Sequence, residues 1–159
     1  MKNYTRVCVR IDLDAIEYNI EMMKANIQDG VKMLAVIKTD GYGHGAVQIA
    51  RLLSTKEYIW GYAVATLEEA VILRHRGITK PILVLGCIFQ DQRRSMIEHE
   101  IRMTVYTEEM AREVSDLAVS MGKNAYIHIK LDTGMSRLGF PTCQESVEHI
   151  TNISRMPNL

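Results

Sequence analysis

Short apolar runs recur along the chain and predict a series of β-strands. A run of four to eight apolar residues between polar turns is typical of a strand, and an unbroken run indicates a strand buried on both faces. Residues 33–37 form such an unbroken run, and residues 125–131 alternate strictly between apolar and polar positions. Strands are predicted at 6–13, 33–37, 58–65, 81–85, 101–106 and 125–131.

The segments between these runs have the 3.6-residue period of amphipathic helices. The first helix places one apolar face at Ile16, Ile20, Met23 and Ile27. Capping-box pairs, a short polar residue followed three positions later by Glu, predict helix starts at Asp14 and Thr66. Further helices are predicted at about 46–53, from 66 to a stop at 77, at 90–98, from a cap at 107 to 122, and at 146–153.

This regular alternation predicts an α/β fold with a mainly parallel sheet. An open doubly wound sheet and a (β/α)8 barrel of the TIM type both fit the pattern. A complete barrel takes about 250 residues, whereas this chain has 159. If the run that ends at Lys38 is the first barrel strand, about five of eight strands are present, and the two edges of the sheet are expected to be open.

Composition narrows the class of protein. Nineteen basic residues balance nineteen acidic ones, so no basic excess points to nucleic acid. No apolar run approaches the roughly 20 residues that span a bilayer, and the first residues lack the apolar core of a secretory signal. Cys8, Cys87 and Cys143 are too widely spaced for a CxxC motif, so reduced thiols and a cytoplasmic location are expected.

The first candidate site begins with Lys38, which ends the apolar run 33–37 and precedes a turn with glycines at 41, 43 and 45. Parallel α/β proteins build their sites at the carboxyl ends of strands. Lysine forms Schiff bases with aldehydes, and partial burial favours its neutral, nucleophilic form. Tyr42 is close enough in sequence to reach the same ligand. The alternative is an ordinary lysine at a strand end followed by a flexible turn.

The second candidate site follows the strand 125–131. The period of two places His128, Lys130 and Asp132 on one face, and Arg137 follows in a glycine-containing loop. A polar row beside a permanently charged guanidinium suits an anionic ligand. The alternative is a half-exposed strand with a solvated face.

The two strings that carry these residues, VIKTDGYGHG at 36–45 and KLDTGMSRLGF at 130–140, resemble the two signature motifs of alanine racemases. The resemblance covers nearly the whole chain. It implies that Lys38 carries pyridoxal 5'-phosphate, that Tyr42 contacts the cofactor phosphate, and that Arg137 approaches the phenolic oxygen. It further implies that Lys130, often carbamylated in that family, positions the arginine. Supporting places are expected for Leu85 and Asp132.

The resemblance also implies an activity: two-base racemisation of L- and D-alanine, which supplies D-alanine for peptidoglycan. Lys38 is the expected base on one face, and a tyrosine from the β domain of a partner subunit, in a homodimer, is the base on the other. Residues 1–159 are then the truncated N-terminal part of the cofactor-binding barrel domain, inactive alone. The alternatives are a serine-preferring or broad-specificity racemase domain, a non-catalytic cofactor-binding module, and a plain α/β domain.

Several polar residues are expected to lack a catalytic role. His75, His99 and His149 are interpreted as solvated helix residues, and Arg93 with Arg94 as a solvated helix face. A second contribution to the site or a turn role is open for His44. No metal site is predicted.

Overall fold

Consecutive strands of the sheet lie side by side and run parallel. The computed structural model describes residues 6–159. Its main sheet has the order β1 to β5, with every neighbouring pair parallel. These strands are β1 (Met33–Val36), β2 (Ile59–Val64), β3 (Ile82–Val84), β4 (Arg102–Val105) and β5 (Ile127–Ile129). A doubly wound sheet reverses its strand order at a switch point, whereas this order never reverses, so the partial barrel is confirmed.

Helices flank and connect the strands, and the periodicity predicted all of them except the short one that begins at Lys38, where the sequence predicted a glycine-rich turn. They are α1 (Leu13–Ala25), α2 (Lys38–Tyr42), α3 (Ala46–Ser54), α4 (Leu67–His75), α5 (Arg93–Glu98), α6 (Glu108–Met121) and α7 (Gln144–Ile153). A short 3₁₀ turn, Gln90–Gln92, precedes α5. A separate parallel pair is formed by β6 (Leu131–Asp132) and β7 (Phe140–Pro141).

The main core lies between the sheet and the helices. Every second residue of the central strands is buried there: Tyr62, Val64, Ile82, Val84, Met103 and Val105. The hydroxyl of Tyr62 donates to the carbonyl of Ala50 in α3 at 2.7 Å, which satisfies its one buried polar atom. The alternate residues Ala63 and Leu83 are buried as well, and this two-sided burial explains the unbroken apolar runs.

The first predicted strand is wrong. Residues 7–12 have no regular structure, and Val7 and Val9 are 83% and 82% exposed. Alternation stabilises a strand only where a neighbour pairs with it, and residues 6–12 pair with none of the described strands. The first helix is capped by Asp12, which accepts from the backbone N–H of Ala15 at 3.1 Å, rather than by Asp14.

Arg93 is also a correction to the expected solvated helix face. The side chain of Arg93 is buried and forms an ion pair with Glu113 of α6. Arg94, the next residue, is exposed as expected. A buried guanidinium requires a partner, and this one comes from a residue 20 positions away, beyond the reach of local pattern.

His149 is likewise not a solvated residue without a partner. Its Nδ1 lies 2.7 Å from the carboxylate of Glu108, and the amide of Asn152 donates to the same carboxylate at 3.2 Å. Glu108 is the first residue of α6, so these contacts fasten α7 to the start of α6.

This contact predicts a pH window for the docking of α7. The hydrogen bond to Glu108 raises the pKa of His149 above its usual 6.5, and the same bond lowers the pKa of Glu108 below its usual 4.5. The stabilisation that His149 contributes is complete below about pH 6.5 and is lost as the pH rises through the folded-state pKa of His149. The stabilisation that Glu108 contributes is complete above about pH 4.5 and is lost as the pH falls through the folded-state pKa of Glu108. The protection of the α7 amides against hydrogen exchange, relative to their intrinsic exchange rate at each pH, should therefore be greatest between these limits. In His149→Gln the loss of protection at higher pH should disappear, and an unchanged profile would contradict this assignment.

Two further expectations bear on the cell compartment. Cys8, Cys87 and Cys143 are free thiols. Within residues 6–159, no helix combines the length and the apolar character needed to cross a membrane. The expectation about a secretory signal falls mostly on residues 1–5, which lie outside the described residues.

Candidate active site

Lys38 lies where the first strand of the sheet ends. The N–H of Ile37 donates to the carbonyl of Ala63 at 2.9 Å, which extends the pairing of β1 with β2 by one residue. Ile37 is buried, and Lys38, the next residue, is half-buried. The sequence predicts a partly buried amine at the carboxyl end of this strand, and the structure has Lys38 in that place.

The backbone after Lys38 turns in the left-handed sense. Five consecutive residues have positive φ: Thr39 (52°), Asp40 (52°), Gly41 (63°), Tyr42 (55°) and Gly43 (83°). A non-glycine residue in this region costs about 1 kcal/mol or more. Three of the five are not glycine, so contacts elsewhere must hold this turn. We call residues 38–45 the lysine turn.

Two side chains within the lysine turn fix its second half. Asp40 accepts from the N–H of Ala46 at 2.8 Å and so links the turn to the start of α3. The Nδ1 of His44 lies 3.0 Å from the carbonyl of Gly41, which gives His44 the turn role. A Cβ at Gly41 would lie only 2.8 Å from Cδ1 of Ile49, so a larger residue there would force that side chain to shift.

Glu69 of α4 fixes the first half of the lysine turn. One carboxylate oxygen accepts from the N–H of Thr39 at 2.6 Å, and the other accepts from the N–H of Ala65 at 2.7 Å. The sequence pattern predicts for Glu69 only a capping box with Thr66. Thr66 does cap α4, at 3.4 Å from the N–H of Glu69, but the carboxylate itself contacts the lysine turn.

The structure brings Tyr42 to Lys38. The Nζ of Lys38 lies 5.9 Å from the centroid of the Tyr42 ring, within the range of a cation–π contact. Tyr42 is 57% exposed, so its hydroxyl is free to meet a ligand beside the amine. The first two predicted site residues therefore form one cluster.

The second motif departs from the predicted polar row. The main-sheet strand β5 ends at Ile129, and Leu131 begins the separate β6–β7 pair, where it is 49% exposed instead of packed in the core. Lys130 lies between the two: its N–H donates to Val105 at 2.9 Å, and its carbonyl accepts from Phe140 at 2.8 Å. Alternation by two therefore holds for Ile127 to Ile129 and fails after them.

Asp132 shapes the loop that carries Arg137. Its carboxylate accepts from the N–H groups of Ser136 and Gly134, each at 3.0 Å, and these bonds lower the pKa of Asp132. A Cβ at Gly139 (φ 137°) would overlap the backbone N of Asp132, so the loop closes tightly on the start of β6. Asp132 thus holds this loop, and its expected supporting role toward a ligand stays a prediction.

Arg137 is exposed and forms no hydrogen bond or ion pair within residues 6–159. Its guanidinium is therefore available to an anionic oxygen of a ligand. Lys130 is half-buried, and no hydrogen bond joins its side chain to Arg137 in this part of the chain. The structure thus places both residues after β5 without connecting their side chains.

All the predicted site residues follow strands of one parallel sheet. Lys38 follows β1, Leu85 follows β3, where its N–H donates to Val64 at 2.8 Å, and Lys130 follows β5. Parallel strands end on the same side, so the site residues share the carboxyl rim of the sheet. Because β1 and β5 are the outer strands, the rim has two opposite edges. Lys38 and Tyr42 lie at one edge, and Lys130 and Arg137 lie at the other.

The comparison with known families decides the relationship. Residues 11–159 match the family described as the alanine racemase N-terminal domain. The chain belongs to that family. The predicted resemblance is therefore confirmed at the level of the family, over nearly the whole chain.

Individual members of the alanine racemase family show the same relationship. The chain is 42% identical over 158 residues to an alanine racemase of Clostridium tetani, covering 99% of this chain and 40% of that protein. The solved structure of an alanine racemase of Clostridium difficile 630 matches with a TM-score of 0.90 and 38% identity, over 93% of this chain and 39% of that one. This chain thus spans about two fifths of the length of these relatives.

A third relative shows that the fold is shared by a protein named for another amino acid. The structure of a histidine racemase from Leuconostoc mesenteroides matches with a TM-score of 0.82 and 27% identity, over 92% of this chain and 39% of that one. The architecture of the carboxyl rim therefore does not by itself determine a substrate.

Proposed function

We propose that this chain supplies the lysine-bearing part of a pyridoxal-phosphate-dependent alanine racemase. The observation that carries the proposal is the lysine turn: a half-buried primary amine at the end of β1, next to the exposed ring of Tyr42, on a backbone held in a rare conformation. Strained backbone supported from outside is common at functional sites. A plain α/β domain does not require such a strained turn after a strand.

The residues on the rim fit the cofactor chemically. An aldehyde requires a primary amine, which Lys38 supplies. An anionic phosphate and a phenolic oxygen require hydrogen-bond donors or cations, which the exposed hydroxyl of Tyr42 and the guanidinium of Arg137 supply. Leu85, half-buried between the two edges, offers an apolar surface for a flat ring.

In this proposal Lys38 has two tasks and each of the other residues has one. The bound cofactor supplies an electron sink for the bond that breaks at the substrate Cα. Lys38 would hold the cofactor through Nζ and would move the Cα proton of the substrate on one face through the same atom. Tyr42 binds the phosphate, Arg137 donates to the phenolic oxygen, and Lys130 supports Arg137 from the end of β5.

The remaining parts of the proposal concern the whole protein. The second base is a tyrosine of a partner subunit in a homodimer, and the product is D-alanine for peptidoglycan in the cytoplasm. Because this chain spans about two fifths of its relatives, we propose that it is the N-terminal part of the barrel domain and that it is inactive alone. Racemisation of alanine by the isolated 159 residues with added cofactor would contradict that last point.

The substrate prediction is tested by exchange at Cα. The full-length protein that carries this chain, loaded with pyridoxal phosphate, should exchange the Cα proton of L-alanine for deuterium from the solvent and yield D-alanine. L-Serine and L-histidine are the comparison substrates, because a serine-preferring racemase remains an alternative and a histidine racemase shares the fold. NMR and chiral chromatography measure the two results.

The outcomes separate the alternatives. A faster rate on serine or histidine than on alanine would replace the substrate but keep the cofactor chemistry. Cofactor binding without exchange on any of the three would indicate a non-catalytic cofactor-binding module.

A further inference from the structure

The ladder between β1 and β2 is interrupted where the lysine turn begins. In a parallel ladder, a residue that donates to one partner accepts from the partner two positions on. Ile37 donates to Ala63, so its carbonyl would ordinarily accept from Ala65. Instead it accepts from the N–H of Gly41 at 2.9 Å, within the lysine turn.

The carboxylate of Glu69 replaces the missing inter-strand hydrogen bond. One oxygen of its carboxylate accepts from Ala65, the donor that the turn leaves without its strand partner, and the other accepts from Thr39, the residue directly after Lys38. Both distances, 2.7 and 2.6 Å, are those of charge-assisted hydrogen bonds. A single half-buried side chain therefore connects the end of β2 to the first left-handed residue of the turn.

We propose that Glu69 is a positioning residue for Lys38, an inference that rests on the proposed function of Lys38. By fixing the N–H of Thr39, Glu69 sets the direction in which the backbone leaves β1 and hence the place of the lysine amine on the rim. Within residues 6–159, Glu69 forms no hydrogen bond or ion pair with the amine or with any other predicted site residue, so the proposed action runs through the backbone N–H of Thr39. The left-handed conformation of Thr39 and Asp40 persists because this carboxylate and that of Asp40 hold it from both ends.

Both carboxylate oxygens of Glu69 are needed as acceptors, so replacing the carboxylate with an amide is the informative change. In Glu69→Gln the side chain keeps its length, but it presents an NH₂ group to one of the two N–H donors. Glu68→Gln is the matched control: Glu68 is the preceding residue of the same helical turn, is exposed, and contacts neither Thr39 nor Ala65. Both changes remove one negative charge from the first turn of α4.

The experiment uses the full-length protein with three measurements. In Glu69→Gln, kcat per cofactor-loaded site should fall about 10- to 100-fold, the range expected for a displaced reacting group, with KM changed less than about threefold. In the cofactor-free protein, hydrogen exchange of residues 38–45 should accelerate. Borohydride reduction and mass spectrometry should still find the pyridoxyl group on Lys38. Glu68→Gln should match the wild type in all three.

A purely structural role would lower the melting temperature and leave kcat per loaded site unchanged, which overturns the proposal. If wild-type Lys38 carries the pyridoxyl group and Glu69→Gln and Glu68→Gln have equal kcat and equal hydrogen exchange, the proposal is also overturned. If wild-type Lys38 carries none, the proposed function fails first and the inference with it. Should Glu69→Gln not fold, Glu69→Asp, which can keep one of the two bonds, should show a smaller fall in kcat, and an unchanged kcat overturns the proposal.

Discussion

Replacing Lys38 with alanine is expected to abolish covalent attachment of pyridoxal phosphate and to lower kcat for alanine by about 10⁴-fold or more. Lys38 has two tasks in the proposed mechanism, nucleophile and base, and the second alone contributes up to about 10⁴-fold in enzymes that use a positioned base. The structure gives the amine no competing task, because it forms no ion pair within residues 6–159. The loss should therefore appear in activity and not in folding.

Mapping the reduced adduct by mass spectrometry checks this prediction. Wild type should carry the pyridoxyl group on Lys38, and Lys38→Ala should carry none. Lys32→Ala is the matched control, since Lys32 is exposed and precedes the same strand. Lys38→Arg, which keeps the charge but cannot form the adduct, should be as inactive as Lys38→Ala. A pyridoxyl group on Lys130, or retained activity in Lys38→Ala, would contradict the assignment of Lys38.

The location of Lys38 was predictable because it depends on a local pattern. The apolar run 33–37 predicts a buried strand, and a polar residue that ends such a run lies at the rim of a parallel sheet. What the run cannot encode is strand order. The choice between a doubly wound sheet and a barrel required the pairing of β1 with β2 and of β4 with β5, since the same βα rhythm fits both.

The conformation of the lysine turn was only half predictable. Glycines at 41, 43 and 45 predicted a sharp turn, but Thr39, Asp40 and Tyr42 adopt positive φ against their own preferences. Such strain is stabilised by distant groups. Glu69 is 30 residues from Thr39 in sequence, and the capping-box pattern pointed its carboxylate to a different donor.

Two errors have the same physical origin. Residues 6–13 and 130–132 both continue an alternating pattern, but no strand of the main sheet described within residues 6–159 pairs with residues 6–12 or with β6. Lys130 leaves the main sheet after Ile129, and Leu131 pairs with Phe140 instead. Alternation reports that a segment can form a strand, and only long-range pairing determines whether it does.

Arg74 is expected to have the largest effect on stability of the polar residues outside the site. Its half-buried guanidinium donates to four backbone carbonyls: Ile78 at 2.7 Å, Lys80 at 2.8 Å, His99 at 3.0 Å and Glu100 at 3.1 Å. These carbonyls belong to the loops before β3 and β4, so one side chain connects the two loops that lead into the centre of the sheet. Burial lowers the pKa of Arg74, and the charge of Glu100 acts in the opposite direction.

We expect Arg74→Leu to lower the free energy of unfolding by about 3 kcal/mol, because it keeps the apolar stem but leaves four acceptors without their donor. For a protein of this size that corresponds to a fall of about 10 °C in melting temperature, which calorimetry measures. Arg76→Leu is the matched control: Arg76 caps the same helix, is exposed, and its side chain forms no hydrogen bond within residues 6–159. Its loss should stay below about 0.5 kcal/mol. Equal losses in the two variants would show that water replaces the guanidinium at all four carbonyls and that the loops before β3 and β4 are held by their backbone alone.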